Sequence, residues 1–350
     1  MRELAQRLVS ERQLGADEFR VLIDSCDSPT LDYLREESVR IARQRFELGI
    51  FVRGLIEISS FCRNDCRYCG LRCSNRSAER YRLSHDEIMA CCEEGYRAGL
   101  RTFVLQGGED LRLTDEWLEE LVLDIRKRYQ DAAITLSLGE RSRASYERLF
   151  EAGASRYLLR HEAADRALYE LLHPTTMSHS NRIACIENLK DIGYQTGMGM
   201  MIGVKGQTTE SLVDDLLLME RIQPQMIGIG PFIPHPDTPL GGELAGDLRL
   251  TLLMLSIVRL MHPDALIPAT TALATLSREG RKLGILSGAN VVMPNLTPSA
   301  FRAKYAIYKD KASFGSEAVE GLQELERELN EIGYHIDYSR GDFQKYYDNE

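Results

Sequence analysis

No stretch of the sequence approaches 18 consecutive apolar residues, so a membrane span is not expected. The opening residues, MRELAQRLVSERQLGADEF, carry charge throughout where a secretory signal needs an apolar core, and a cytoplasmic location is expected. Basic runs long enough to follow a phosphate backbone are missing too. With 43 Lys+Arg against 53 Asp+Glu and a formal charge of −10, nucleic acid is not an expected partner. The eight cysteines stop at Cys185 and form no evenly spaced disulfide framework, as suits a reducing compartment. No Ser-His-Asp arrangement or close pair of catalytic carboxylates stands out, which leaves hydrolysis without support. There is no low-complexity linker and no repeat stronger than an alternation of short apolar runs with amphipathic segments.

What is present centres on Cys62, Cys66 and Cys69, which follow an apolar run and have the spacing C-x3-C-x2-C. Three thiolates on one loop can wrap a soft metal centre while leaving one coordination position without a cysteine. A structural zinc wants four closed ligands, and no nearby Cys or His pair completes the set. A [4Fe-4S] cluster would keep one iron open to a non-protein ligand. Cys26, Cys91, Cys92 and Cys185 read as small core residues. Cys73, four residues beyond Cys69, has no assigned role.

Residues 1–50 read as an N-terminal helical cap, with helices over Glu3 to Leu14 and Thr30 to Leu48 broken at Asp27-Ser28-Pro29. From Gly54 onward the rhythm is that of a parallel sheet. Strands are expected at Leu55–Ser59, Thr102–Gln106, Ile134–Leu138, Tyr157–Arg160, Gln195–Ile202, Met226–Gly230, Leu266–Thr271 and Asn290–Met293. The helices between them are expected at His85–Ala98, Asp115–Arg128, Arg143–Ala152, Asp165–Leu172, Asn181–Ile192, Glu210–Ile222, Leu248–His262 and Ser277–Leu286. Eight such units predict an α/β fold of the (β/α)8 TIM type over residues 51–310, with a six-unit partial barrel as the alternative. A helix over Ser316–Ile332 and a polar tail, GDFQKYYDNE, form a C-terminal extension over 311–350.

A barrel of this kind carries its chemistry after the strands. Gln106-Gly107-Gly108-Glu109 offers close backbone approach and a carboxylate able to accept from an ammonium group, although a tight turn would also explain it. In Arg160-His161-Glu162, alternation sends Arg160 and Glu162 to one side. There they suit a ligand with a carboxylate and ribose hydroxyls, or form a structural ion pair. Arg182 is a second candidate for a carboxylate, with a solvated helix residue as the alternative. Gly197-Met198-Gly199-Met200-Met201 reads as room for a bulky ligand, or as ordinary core filling. His235 and Asp237 lie in the proline-rich loop Pro234-His235-Pro236-Asp237-Thr238-Pro239-Leu240, without an assigned job.

The cysteine spacing, with an aromatic residue before the last Cys, resembles the radical S-adenosylmethionine (SAM) superfamily. The stretches ISSFCRNDCRYCGLR, LQGGED, TLSLGE, RYLLRHE, GIGPFIPHPDTPL, IPATTALAT and GANVVMPNLTPS together resemble the [FeFe]-hydrogenase maturase HydE family, in the biotin-synthase-like branch. That resemblance implies a full (β/α)8 barrel and an enzyme that cleaves SAM reductively to a 5'-deoxyadenosyl radical. It implies one [4Fe-4S] cluster on Cys62, Cys66 and Cys69, since the further cysteines that many members carry late in the chain are missing. It also implies SAM contacts from Tyr68, Gly108, Glu109, Glu162, Arg182 and Tyr305. A substrate cavity would be lined by Gln106, Thr135, Arg160, Met226, Thr270, Thr271 and Tyr308. The implied substrate is a cysteine-bound iron carbonyl cyanide complex, with HydG, HydF and a ferredoxin or flavodoxin as partners. A related mutase such as 3-methylornithine synthase, and a non-catalytic iron-sulfur carrier or scaffold, are the alternatives.

Overall fold

The computed structural model describes residues 1–311 and 318–344. Three helices lead in: α1 (Arg2–Glu11), α2 (Ala16–Ser25) and α3 (Ser28–Phe46). The last begins where Asp27 accepts from the Thr30 N–H, with Pro29 in the first turn, where its missing N–H costs nothing. The sequence pattern gave α1 and α3 but missed α2, whose Gly15 start lacks a side-chain cap.

Next come β1 (Gly49–Val52) and β2 (Gly54–Ser59), then α4 (His85–Arg97), β3 (Thr102–Gly107), α5 (Asp115–Arg128) and β4 (Ala133–Ser137). The chain continues through α6 (Arg143–Glu151), β5 (Arg156–Leu158), α7 (Arg166–Leu172), α8 (His179–Ile192), β6 (Gln195–Ile202), α9 (Thr209–Ile222) and β7 (Met226–Pro231). Strands β2 to β7 form a six-stranded sheet in sequence order, every pair parallel. The result is an α/β fold with a parallel sheet at its core and helices around it. Ser84, Thr114, Ser142 and Thr208 each cap a helix N-terminus by accepting from a backbone N–H. No helix is long and apolar enough to cross a membrane among the described residues.

Beyond β7 the expected strand at Leu266–Thr271 does not form. It is reduced to single parallel bridges, Leu266 to Met226 and Pro268 to Val291. Pro268 cannot donate to a ladder, and Thr270 already stands at the start of α11 (Thr271–Leu276). Before it lies α10 (Leu248–Met261), and after it α12 (Gly280–Ile285), β8 (Val291–Val292) and α13 (Ser299–Arg302). Asn295 makes one further bridge, back to Leu55 of β2. Helix α10 is apolar on nearly every face, and α3 packs along it, so the N-terminal helices cover a surface that water would otherwise meet.

The C-terminal extension holds α14 (Ala318–Glu331) and β9 (His335–Asp337); the expected helix start at Ser316 lies outside the described residues. Strand β9 pairs with β1, which also pairs with β8, so the N-terminal cap and the extension share a sheet that the sequence pattern did not reveal. Nor is Arg340–Phe343 a free tail. Arg156, fully buried, donates to the Arg340 carbonyl (2.9 Å), the Gly341 carbonyl (3.1 Å) and the Asp342 carboxylate (2.8 Å). Thr102 donates to the Arg340 carbonyl (2.8 Å), and Gln195 to Asp342 (3.1 Å). Thr102, Arg156 and Gln195 are the first residues of β3, β5 and β6, so this segment seals the N-terminal end of the sheet.

Candidate functional site

The cysteine loop leaves the C-terminal end of β2, where the register with β3 shifts between Glu57 and Ser59. Bulges of this kind re-aim a chain. Four separate elements hold the loop. The Arg63 N–H donates to the Glu109 carbonyl (2.9 Å), Arg67 N–H to Leu172 (2.9 Å) and Gly70 N–H to Ile307 (2.9 Å), while Arg67 accepts from Leu240 (3.2 Å). Arg80 donates from within to the carbonyls of Ser60, Leu71, Arg72 and Asn75. Cys62, Cys66 and Cys69 are half-buried free thiols, whereas Cys73 is exposed and Cys26, Cys91, Cys92 and Cys185 are buried. Burial pushes the Cys69 thiol up to about 12, and Cys66 well above its ordinary value, with Cys69 and Cys62 next in effect.

Two glycines make the tight fit possible. A Cβ on Gly108 would come within 2.2 Å of the Phe61 carbonyl and 2.7 Å of Cys62 Cβ. One on Gly70 would meet the Ala306 carbonyl at 2.1 Å and the His235 ring at 2.5 Å. His235 is thus a buttress behind the last cysteine, with Nδ1 accepting from the Asp237 N–H (3.2 Å).

The candidate SAM residues gather beside this loop. The Tyr68 hydroxyl donates to His173 Nε2 (3.1 Å), because His173 Nδ1–H is committed to the Tyr169 carbonyl (2.8 Å). Sequence reasoning missed His173; its one signal was a histidine at a helix end before proline. Glu109 accepts from Arg63 Nε (3.0 Å) and from the Glu140 N–H (2.9 Å). Arg182, buried, stands 2.8 Å from Glu140 and reaches the Arg160 carbonyl (3.4 Å). Glu162 has the left-handed backbone angle φ 66°, and its Oε2 lies 3.2 Å from Arg160 without hydrogen-bond alignment. Behind them His161 faces the other way. Gly199 N–H donates to its Nδ1 (3.2 Å), so Nε2–H donates to Asp215 (2.9 Å), both side chains being fully buried. This pair, also missed, fixes the strand end from which Arg160 and Glu162 project. Tyr305 accepts from Gln106 at 3.4 Å.

The candidate cavity residues are only partly brought together. Thr135 Oγ1, Thr270 Oγ1 and the Arg160 Nε and Nη2 atoms are buried without hydrogen-bond partners. A ligand bearing donors and a carboxylate would satisfy them. Burial pushes the Tyr308 hydroxyl up, and Thr275 is hydrogen-bonded to it. Thr271 sits in the first turn of α11, its carbonyl taken by Thr275. Met226, by contrast, opens β7 at the far end of the sheet, where its sulfur meets buried Arg53 Nη1 at 3.1 Å. Glu57 was overlooked, although a carboxylate in the apolar run of β2 was its signal. It is fully buried, ion-paired with Lys311 and accepts from Asn295 (3.0 Å).

The residues present fit a cluster with an open iron and a SAM-like ligand. Three neighbouring thiols have no fourth protein ligand among the described residues, and Glu162 and Arg160, 3.2 Å apart, carry buried atoms without hydrogen-bond partners. No group of three or more His, Cys, Asp or Glu converges as a single-ion site among those residues.

Comparison with known proteins agrees. The Radical SAM superfamily description matches residues 56–219. The [FeFe] hydrogenase maturase subunit HydE of Thermotoga maritima is 47% identical over 262 residues, spanning 75% of this chain and 74% of that protein. The 3-methylornithine synthase of Methanosarcina acetivorans is 29% identical over 290 residues, spanning 82% and 81%. The crystal structure of methylornithine synthase (PylB) superposes with a TM-score of 0.80 at 26% identity, covering 95% of this chain and 97% of that one. Conserving a fold over nearly its whole length and identical to one relative at almost half of the 262 aligned positions, the chain belongs to the radical SAM superfamily of enzymes, which use SAM and a [4Fe-4S] cluster, and is closely related to HydE and the biotin-synthase-like enzymes.

Proposed function

We propose that the protein is a maturase of the HydE kind, acting in assembly of the diiron subcluster of [FeFe]-hydrogenase. The observation that carries this reading is 47% identity to the Thermotoga maritima maturase, against 29% to a mutase of the same superfamily. Cys62, Cys66 and Cys69 hold the chain's one [4Fe-4S] cluster, which when bound supplies the electron that splits SAM to a 5'-deoxyadenosyl radical. Tyr68, Gly108, Glu109, Glu162, Arg182 and Tyr305 contact SAM. Glu162 would accept from the ribose hydroxyls, while Gly108 lets the loop close on the strand ends. Gln106, Thr135, Arg160, Thr270, Thr271 and Tyr308 line the cavity, where Arg160 takes the carboxylate of a cysteine-bound iron carbonyl cyanide precursor whose sulfur the radical attacks. The unpartnered atoms of Thr135, Thr270 and Arg160 support that assignment.

On this reading the single bridges at Leu266, Pro268 and Asn295 stand for the last units of a complete (β/α)8 barrel over residues 51–310, between a cap (1–50) and an extension (311–350). The protein works in the cytoplasm, with HydG supplying the precursor, HydF receiving the product and a ferredoxin or flavodoxin providing electrons.

The test is anaerobic reconstitution with SAM and reductant. The protein should release 5'-deoxyadenosine and, combined with HydG, HydF and apo-hydrogenase, should restore hydrogen production that is lost when it is left out. The second reading is a mutase, favoured by the near-complete superposition on methylornithine synthase. Conversion of L-lysine to 3-methylornithine, with no activation of hydrogenase, would establish it instead.

A further inference from the structure

Beyond β5 the chain is irregular where its functional residues stand. The Leu159 N–H donates to the Gly197 carbonyl of β6 (2.9 Å), and the next N–H to reach β6 is that of Glu162, which donates to the Gly199 carbonyl (3.0 Å). A regular parallel ladder advances two residues on each strand between such bonds. Here β6 advances two and the facing chain three, so one extra residue is taken up as a bulge, a device that re-aims side chains. The Gly199 N–H goes to His161 Nδ1 (3.2 Å) and not to a backbone carbonyl of the ladder. Glu162 follows with its left-handed φ of 66°.

The group that holds this shape comes from another element. Asp215 of α9 accepts with one oxygen, Oδ1, from His161 Nε2–H (2.9 Å) and from the Ala164 N–H (2.7 Å), and so grips the chain on both sides of Glu162. The His161 and Asp215 side chains are fully buried. The second carboxylate oxygen, Oδ2, is buried without a hydrogen-bond partner. Packing alone does not require an acid at this position: Leu212 and Met219, one turn away on either side of the same face of α9, are buried apolar residues. A carboxylate withdrawn from water with one oxygen unused costs the fold stability that a leucine would not. Its two bonds instead fix a geometry, and the residue between the two gripped positions is Glu162.

We propose that Asp215 and His161 are positioning residues for SAM: together they hold the bulge that turns the Glu162 carboxylate toward the ribose hydroxyls. The proposal rests on the assignment of Glu162 to SAM above. Asp215 touches no ligand and acts through His161 and Ala164 on the backbone of Glu162. Without it the turn is released from α9, Glu162 relaxes out of its left-handed conformation, and its carboxylate leaves the position that the ribose needs.

The experiment is a double-mutant cycle between Asp215 and Glu162, reading the dissociation constant of SAM from the reconstituted holoprotein, with thermal unfolding alongside. Asp215→Leu should weaken SAM binding about 10-fold, close to the loss in Glu162→Gly. In the Glu162→Gly background the same substitution should add less than about 2-fold, because the group it positions is already gone. Asp215→Asn, whose carbonyl oxygen can still accept from both N–H groups, should stay within about 3-fold of the parent. Unchanged affinity in Asp215→Leu overturns the proposal, and so does an equal loss with and without the Glu162 carboxylate, the mark of general disruption. Unchanged affinity in Glu162→Gly overturns the assignment of Glu162 to SAM, a failure distinct from the first. Should Asp215→Leu fail to fold, the double variant His161→Phe/Asp215→Leu, which strands neither side chain of the pair, takes its place under the same criteria.

Discussion

Glu162 combines two costs in one residue: a left-handed backbone, which disfavours side chains with a Cβ by roughly 1–2 kcal/mol, and a buried carboxylate oxygen that lies 3.2 Å from Arg160 without making a hydrogen bond. Neither helps the fold, which is why the residue is read as serving a ligand. Glu162→Gly should therefore unfold at the same temperature as the parent or a few degrees higher, while Glu162→Ala, which keeps the backbone strain, falls below the glycine variant. Both should bind SAM at least about 10-fold more weakly, losing a charge-assisted hydrogen bond or two. Thermal unfolding and SAM titration of the pair check this; a glycine variant less stable than the alanine one would contradict it. At this scale the sequence was informative about which residues face inward, because alternation in a strand separates Arg160 and Glu162 from His161. It was silent about partners. That Tyr68 leans on His173, or Glu57 on Lys311, depends on contacts between positions 105 and 254 residues apart, which no local pattern encodes.

Strand β6 illustrates how an element can be legible and its reason misread. The run Gln195–Ile202 was expected as a strand and is one. Its glycines looked like space for a ligand. At Gly199, however, a Cβ would fall 2.0 Å from the Gly228 carbonyl of β7, so the residue is small because a neighbouring backbone is there. At Gly197 the first obstacle is the end of the Leu158 side chain, at 2.6 Å, which can turn aside. Met198 and Met200 are fully buried core residues. Gly199→Ala should thus cost about 3 kcal/mol or more, with the two strands forced apart, and Gly197→Ala about 1–2 kcal/mol. Urea unfolding of the two variants separates these values; equal losses would show that the β6–β7 contact can relax. The strands the sequence revealed poorly are those without an internal rhythm. β8 has two residues and β9 three, and each exists because β1 lies between them. The seventh expected strand failed at Pro268, where the apolar pattern was right but a ladder donor was missing.

The molecule as a whole is polarised: the cysteine loop and the unpartnered polar atoms lie where the strands end, and the C-terminal segment at Arg340–Phe343 closes the side where they begin. That closure was illegible in sequence, since a short polar run gives no sign that a buried arginine is waiting for it. Burial on this scale also governs how the fold responds to acid. Two histidines, His173 and His262, are buried, and loss of solvent lowers each from 6.5 to about 4. Each is therefore neutral in the folded protein at pH 5, whereas in the unfolded chain it takes up a proton below about 6.5. The unfolded state then binds more protons, so stability rises with pH in this window and falls as pH is lowered from 6.5 toward 4. Each histidine contributes at most about 3 kcal/mol to that fall, at 1.4 kcal/mol per unit. The carboxylates whose values lie low, such as Asp110 under Arg82 and Asp342 under Arg156, hold their charge through this range and add their own loss only below it. His262 Nε2 has no hydrogen-bond partner, so an apolar replacement removes the titration without stranding a neighbour. His262→Leu should match the parent within about 1 kcal/mol at pH 7.5 and lose markedly less between pH 6.5 and 4.5, as measured by denaturant unfolding across that range. An unchanged slope would mean that His262 is reached by water before the fold gives way, and that the acid sensitivity resides in other groups, among them His173 and His179, which burial also lowers.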